Sequence, residues 1–131
     1  MTRLSITTAL ILAAFSFGAT PAMAGDAAAG EKIFNKCKAC HQVGEKAKNR
    51  VGPMLNGTVG QPAGAVEGFK YSDALSGSGL VWDEATLAAY LADPKATVPG
   101  NKMAFVGLRK DEEIADVIAF LASHASDGTL Q

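Results

Sequence analysis

The sequence predicts an all-α fold in which a few helices are joined by long loops. Three stretches place apolar side chains at helical spacing, each beginning at an aspartate that suits a cap or a first turn. No stretch alternates apolar and polar residues long enough to indicate a strand. Residues 43–80 are rich in glycine, and their apolar residues follow neither the spacing of a helix nor the alternation of a strand. So long a loop is unusual inside a compact domain unless it wraps around something.

The first predicted helix begins behind Asp26, whose carboxylate can accept hydrogen bonds from the free N–H groups of the first turn. Ile33, Phe34 and Cys37 follow at the spacing of one helical face, and the helix is expected to end near the sequence CKACH. Within the glycine-rich loop, residues 72–75 are expected to form a single helical turn.

The second predicted helix begins at its cap Asp83 and ends at Asp93, because the residue before a proline disfavours helical geometry. Its apolar face consists of Leu87, Tyr90 and Leu91. The stretch DPKATVPGNKMAFVG that follows is expected to be a loop.

The third predicted helix begins near Asp111 and has acidic residues throughout its first turn, where the helix macrodipole favours negative charge. Its buried face is predicted from the stripe Ile114, Val117, Ile118 and Leu121. Residues 25–131 contain four Phe, two Tyr and one Trp, which is a modest aromatic supply for a core. A bound group is therefore expected to help fill the interior.

Residues 1–24 have the layout of a secretory signal peptide, with Arg3, an apolar run over residues 9–17 and a small-residue site that ends at Ala24. We expect cleavage after Ala24, which leaves residues 25–131 as one domain. The alternative is an uncleaved membrane anchor, in which the apolar run, interrupted by Thr and Ser, just spans a bilayer. Cleavage of an export signal predicts a periplasmic protein.

The charge of the mature chain is nearly balanced but unevenly distributed. Without Arg3, eleven basic residues face thirteen acidic ones, a net charge of −2 that gives no support for a nucleic-acid binder. Residues 32–50 hold six basic residues and one acidic one, whereas residues 111–116 hold four acids and no base. Such an electrical dipole matters for docking more than for folding.

The stretch CKACH holds the chain's two cysteines, Cys37 and Cys40, and the adjacent His41. A thioredoxin-like redox pair would need a βαβ context, and the flanks show no strand; a simple disulfide is a further alternative. A zinc site needs four ligands, but His124 is the one other histidine of the chain. The pattern favours covalent attachment of haem c, in which both thiols form thioethers and the histidine binds the iron.

A haem iron has a second axial position, for which three residues of the mature chain are candidates. Met54 is expected to fill a packing gap, as methionines often do. His124 follows the apolar stripe of the last helix and is expected to be a solvated surface residue. Met103 lies in a loop between two helices, behind Pro99 and Gly100, where it can reach across to the iron.

The mature chain resembles class I c-type cytochromes of the short cytochrome c2 kind, which are close in loop lengths to mitochondrial cytochrome c. The resemblance extends over residues 25–121. It rests on GDAAAGEKIF before CKACH, VGPML after it, and then GFKYSDAL, GLVWDEATLAAYLADPK, VPGNKMAF and IAFL in order. It implies the class I cytochrome c fold, with three main helices and long loops around one covalently bound haem.

The resemblance also implies roles for individual residues. Cys37 and Cys40 would carry the haem thioethers, and His41 and Met103 would be the axial ligands of a six-coordinate iron. The other residues implied to contact the cofactor or its ligands are Pro53, Gln61, Tyr71, Trp82, Tyr90 and Asn101. The carbonyl of Pro53 would accept the Nδ1 hydrogen of His41, Tyr71 and Trp82 would bond a haem propionate, and the Tyr90 hydroxyl would approach the Met103 sulfur.

Gln61 stands where relatives commonly have an arginine near a propionate. Its amide can donate hydrogen bonds but brings no positive charge to compensate the propionate. The substitution is therefore expected to favour the ferric state and to lower the redox potential slightly.

An iron with both axial positions filled is suited to one-electron exchange, so the resemblance implies a soluble, monomeric electron carrier of the periplasm and not an enzyme. Implied partners are a quinol:cytochrome c oxidoreductase of the bc1 type as donor and a terminal oxidase or photosynthetic reaction centre as acceptor. No small-molecule substrate and no nucleic acid are expected. The docking lysines implied near the haem edge are Lys36, Lys38, Lys46, Lys48, Lys95 and Lys102. The alternatives are a donor subunit bound permanently to an enzyme complex and a ligand-binding or peroxidase-like cytochrome.

Overall fold

The structure is a computed structural model that describes residues 24–131. The predicted signal peptide lies outside the described residues, apart from Ala24. The helices, in chain order, are α1 (Ala27–Phe34), α2 (Asp73–Ser76), α3 (Glu84–Ala92), α4 (Pro94–Thr97) and α5 (Asp111–Ala122). Over this described part of the chain there is no strand, and two isolated bridges join Pro62 to Val81 and His124 to Leu130. The predicted all-α class is confirmed.

Two of the three main helices begin at the predicted caps. The Asp26 carboxylate accepts from the N–H groups of Ala28 and Ala29, and the Asp83 side chain accepts from the N–H of Thr86. These bonds satisfy N–H groups that have no partner within the helix. Helix α5 has no side-chain cap bond and relies on the acidic residues of its first turn. Among residues 24–131, no helix is both long and apolar enough to cross a bilayer.

Helix α4 corrects the expectation of an uninterrupted loop after Asp93. Asp93 ends α3 and also caps α4, since its side chain accepts from the N–H of Ala96. Pro94 takes the first helical position, where its missing N–H costs nothing and its fixed φ suits the helix. The proline that ends one helix therefore begins the next.

Helices α1 and α5 cross closely and form the centre of the core. At the crossing, the Phe34 and Phe120 ring centroids are 5.2 Å apart. The carboxylate of Asp116 in α5 accepts from the backbone N–H of Asp26 at 2.7 Å. Gly30 faces the carbonyl of Asp116, and a Cβ on Gly30 would overlap that oxygen and lie 2.8 Å from the Cβ of Phe120. The remaining buried apolar residues are Trp82, Leu87, Tyr90, Val98, Leu108, Ile114, Val117, Ile118 and Leu121.

The glycine-rich loop is held by backbone hydrogen bonds at both ends. Near its start, Leu55 N–H donates to the Gln42 carbonyl at 2.9 Å. Near its end, Trp82 N–H donates to the Gln61 carbonyl and Ala63 N–H donates to the Leu80 carbonyl, each at 2.8 Å. The loop is therefore an ordered wall that joins the CKACH region to the start of α3.

Replacing Gly30 by alanine is expected to lower the free energy of unfolding by about 1–3 kcal/mol, the usual cost of overpacking. Alanine is the better helix former, so a loss would show that the helix crossing outweighs helix propensity. Urea denaturation measures the difference. Ala28→Ser, which also adds one heavy atom to α1 but at an exposed position, should change stability by less than about 0.5 kcal/mol. Equal stability of Gly30→Ala and the wild type would contradict the close crossing.

Candidate functional site

The CKACH stretch lies in a run of turns directly after α1. Cys37 N–H donates to the Phe34 carbonyl at 2.8 Å, and Cys40 and His41 N–H both donate to the Cys37 carbonyl, at 3.0 and 2.9 Å. The bond from His41 to Cys37 has the i to i−4 spacing of an α-helix, so the motif follows α1 as a further turn although α1 itself ends at Phe34. Both thiols are unpaired and partly exposed. Burial raises the pKa of the Cys37 thiol, with Lys36 opposing and Cys40 adding to the effect, so Cys37 is neutral at neutral pH.

The imidazole of His41 is oriented by a bond to the backbone. Its Nδ1 lies 2.7 Å from the carbonyl oxygen of Pro53, which can only accept, so Nδ1 carries the hydrogen and donates. Burial lowers the pKa of His41, and the bond to Pro53 opposes this in part. A neutral ring with Nδ1 protonated leaves the lone pair of Nε2 free to bind a metal. The hydrogen bond predicted between His41 and Pro53 is confirmed.

Gly52 is a contributor to the site that was not predicted. A Cβ at this position would overlap the His41 ring, with Nδ1 at 2.7 Å and Nε2 at 2.8 Å. The backbone of residue 52 therefore lies flat against the imidazole, and Gly52 N–H also donates to the Cys40 carbonyl at 2.9 Å. The sequence offered one weak signal, the Gly-Pro pair within VGPML.

An open cavity of about 640 Å³ borders His41. Its wall includes the apolar side chains of Phe34 and Val43 together with residues 44–47. A second cavity, of about 250 Å³, lies beside Gln61 and the C-terminal residues. The larger one is the relevant one because it contacts an imidazole whose Nε2 is free.

Met103 is held by two neighbours. Its sulfur lies 4.0 Å from the hydroxyl oxygen of Tyr90, and its backbone N–H donates to Oδ1 of Asn101 at 2.9 Å. Tyr90 is buried and its ring contacts Trp82, with centroids 4.8 Å apart. Burial raises the pKa of Tyr90, so its hydroxyl keeps its hydrogen and can donate to the sulfur. The predicted approach of Tyr90 to Met103 is confirmed.

Tyr71 and Trp82 both retain a free hydrogen-bond donor. The Tyr71 hydroxyl accepts from Val66 N–H at 3.2 Å, and its own hydrogen is not used by that bond. The Trp82 ring is mostly buried, and its indole N–H makes no hydrogen bond within residues 24–131; this nitrogen is not among buried atoms that lack a partner, so it reaches the surface. Two unused donors, one on the buried ring of Trp82 and one on the partly buried ring of Tyr71, suit the carboxylate groups of a ligand.

The side-chain amides of Gln61 and Asn101 differ from Tyr71 and Trp82 in their surroundings. The Gln61 side chain is exposed, and its residue is tied to Trp82 through the backbone. The Asn101 amide donates to the Pro94 and Val98 carbonyls, both at 2.8 Å, and its oxygen accepts from Met103. Both amide hydrogens are therefore engaged within the protein, and the contact of Asn101 with a cofactor stays a prediction.

The expectation that His124 is a solvated surface residue is wrong. His124 is 8% exposed, and its Nδ1–H donates to the Phe120 carbonyl at 3.0 Å. The C-terminal segment folds back over it, as Gln131 N–H donates to the Ser123 carbonyl at 2.9 Å. The residues that fold back follow no helical or strand periodicity, so no signal in the sequence indicated that His124 would be covered.

All six lysines predicted for docking are exposed. Lys36 differs from the others because its Nζ lies 3.2 Å from Oε2 of Glu113 in α5. Its charge is thus partly balanced by one of the four acids of residues 111–116. Such surface pairs add little to stability, at about 0–1 kcal/mol, but the pair places Lys36 at the border between basic and acidic regions.

The family model described as cytochrome c matches residues 27–125 of this chain. The chain belongs to the cytochrome c family. Cytochrome c2 of Rhodomicrobium vannielii is 55% identical over 91% of this chain and 95% of that protein. Cytochrome c-550 of Nitrobacter winogradskyi is 50% identical over 82% of this chain and 98% of that protein.

Solved structures agree with this family assignment. Cytochrome cH from Methylobacterium extorquens has a TM-score of 0.70 and 54% identity, covering 74% of this chain and 97% of that one. Cytochrome c2 from Rhodospirillum centenum has a TM-score of 0.74 and 38% identity, covering 77% and 99%. The predicted class I cytochrome c fold is confirmed. As a member of the family, the chain is an electron-transfer protein rather than an enzyme.

The residues of the site fit the covalent haem c that the family implies. The two thiols are unpaired and spaced as in a C-x-x-C-H motif, and the adjacent His41 has a free Nε2. Apolar side chains next to the core remain only partly buried, as a large apolar group beside them would require. These are Ile33, Val43, Leu55, Val59, Leu75, Leu80, Leu91 and Phe105.

Replacing Gly52 by alanine is expected to displace the His41 ring, because the new methyl group would overlap it. The free energy of unfolding of the haem-loaded protein should fall by about 1–3 kcal/mol, and the NMR signals of the His41 ring protons should shift. Gly77→Ala is the matched control, since its Cβ would meet one backbone oxygen at 3.0 Å and no ring. Unchanged His41 signals in Gly52→Ala would contradict the packing of residue 52 on the imidazole.

Proposed function

We propose that this protein is a periplasmic one-electron carrier with one covalently attached haem c. Cys37 and Cys40 hold the haem through thioethers, and His41 and Met103 fill both axial positions of its iron. The observation that carries this proposal is the bond from His41 to Pro53, which orients a partly buried imidazole with Nε2 free. When bound, the haem supplies reversible exchange of one electron at its iron.

The residues around the ligands favour the reduced state. A thioether ligand opposite an imidazole raises the potential, and the Tyr90 hydroxyl limits the freedom of the Met103 sulfur at 4.0 Å. Burial of the surroundings penalises the additional positive charge of the oxidised iron. Tyr71 and Trp82 have donors available for the haem carboxylates, which would otherwise be buried without partners. These contributions support a high-potential carrier with no position left for a substrate.

The partners proposed for this carrier are membrane redox complexes that bind transiently to a monomer. A quinol:cytochrome c oxidoreductase of the bc1 type would donate the electron, and a terminal oxidase or reaction centre would accept it. Exposed lysines support an electrostatically steered encounter with acidic surfaces. We retain Lys38, Lys46, Lys48, Lys95 and Lys102 as the docking set and place Lys36 at its border. Periplasmic location rests on the predicted signal peptide of residues 1–24 and its cleavage.

Replacing Met103 by histidine tests the proposed ligation. The ferric wild type should show the weak long-wavelength absorption band of a methionine–iron bond, and Met103→His should lose it. The potential should fall by a sizeable part of the roughly 0.8 V that axial ligands span, as a redox titration would measure.

Met54→Leu is the control, because this methionine is expected only to fill space and should leave both the band and the potential unchanged. If the wild type lacks the band, or if its ferrous form binds carbon monoxide readily at neutral pH, the alternative of a ligand-binding cytochrome is favoured.

Replacing Lys102 by glutamine tests the docking surface. At low ionic strength, the electron-transfer rate with a bc1-type complex should fall by a factor of about two to five, the equivalent of one exposed charge pair. Stopped-flow kinetics at several salt concentrations measure the effect, which salt should weaken. Lys36→Gln is the comparison and should have the smaller effect, because Lys36 borders the acidic start of α5. Rates that do not vary with ionic strength would refute electrostatic steering.

A further inference from the structure

The segment that carries Met103, residues 99–107, has few hydrogen bonds to the rest of the protein. It lies between α4 and α5, and its Val106 side chain is 89% exposed. Within residues 24–131, the hydrogen bonds that leave this segment come from Asn101 and Met103 alone. A segment with so little attachment can open locally at low cost unless those few bonds restrain it.

Asn101 supplies most of this attachment. Its two amide hydrogens go to the carbonyls of Pro94 and Val98, at the start of α4 and just after its end. Its backbone N–H donates to the Val98 carbonyl as well, at 3.1 Å. Its remaining amide atom, Oδ1, accepts from the backbone N–H of Met103 at 2.9 Å. One side chain therefore links the backbone of Met103 to a helix that is capped at Asp93 and has its Pro94 fully buried.

We propose that Asn101 is a positioning residue that keeps the Met103 sulfur at the iron, and this rests on the proposed ligation by Met103. The amide bonds to α4 exist whether or not the sulfur is bound, but the bond to Met103 N–H is lost when the part of the segment beyond Asn101 opens. Asn101 therefore stabilises the closed arrangement relative to the open one. The Tyr90 hydroxyl restrains the side chain of Met103, while Asn101 restrains its backbone.

Competition with imidazole measures how firmly Met103 is held. Imidazole can replace the sulfur on the ferric iron only when the segment opens, so weaker restraint appears as tighter imidazole binding. In the haem-loaded protein, Asn101→Ala should raise the affinity for imidazole at least roughly fivefold, the factor that corresponds to one hydrogen bond of about 1 kcal/mol. The long-wavelength band should disappear at correspondingly lower imidazole concentration.

Asn49→Ala is the matched control, because Asn49 makes the same kind of bonds around the other methionine. Its Oδ1 accepts from Met54 N–H at 3.0 Å, and its Nδ2 donates to the Glu67 carbonyl at 2.9 Å. This variant should lose stability but keep an imidazole affinity within about twofold of the wild type. An equal increase in both variants would mean that general destabilisation is the cause and would overturn the proposal.

Asn101→Asp separates the two halves of the link and provides a second variant if Asn101→Ala folds poorly. It keeps an acceptor for Met103 N–H but loses both donors to α4. If the link to α4 matters, Asn101→Asp should also bind imidazole more tightly; wild-type affinity in both variants would overturn the proposal. A wild type without the long-wavelength band would instead show that the ligation by Met103 has failed.

Discussion

Helices α1 and α5 approach so closely at Gly30 that its Cα faces the Asp116 carbonyl with no space for a methyl group between them. This contact determines the position of α1, and the turns that carry Cys37, Cys40 and His41 follow directly from its last residue. A short eight-residue helix is marginal by itself, so the packing against α5 supplies its stability. The attachment motif is thus held by the most firmly packed part of the molecule.

The two proposed iron ligands are held by different kinds of contact. The His41 ring is held by backbone atoms. The Pro53 carbonyl accepts from its Nδ1, and the backbone of Gly52 packs against the ring. Met103 is fixed by side chains, namely those of Tyr90 and Asn101, in an exposed segment. Backbone atoms in a loop that is held by hydrogen bonds move less readily than a segment with few hydrogen bonds. Any loss of ligation is therefore expected first on the methionine side.

The same arrangement suits a protein that exchanges electrons and binds no substrate. Trp82 and Tyr90 are buried and in ring contact, and the Tyr90 hydroxyl lies 4.0 Å from the sulfur of Met103. The charge distribution acts at longer range, where a basic region and an acidic helix start give the molecule an electrical orientation. The ion pair between Lys36 and Glu113 marks the boundary between the two.

The sequence by itself determined the helix starts at Asp26 and Asp83, the helical period of α5 and the C-x-x-C-H motif, because caps, periods and motifs are local in the chain. The tertiary structure alone decided the burial of His124, the pairing of Lys36 with Glu113, and the contact of Gly52 with His41. It also showed that the Asn101 side chain links α4 to the backbone of Met103. Each of these depends on where the chain returns in space, and no local pattern of residues encodes that return.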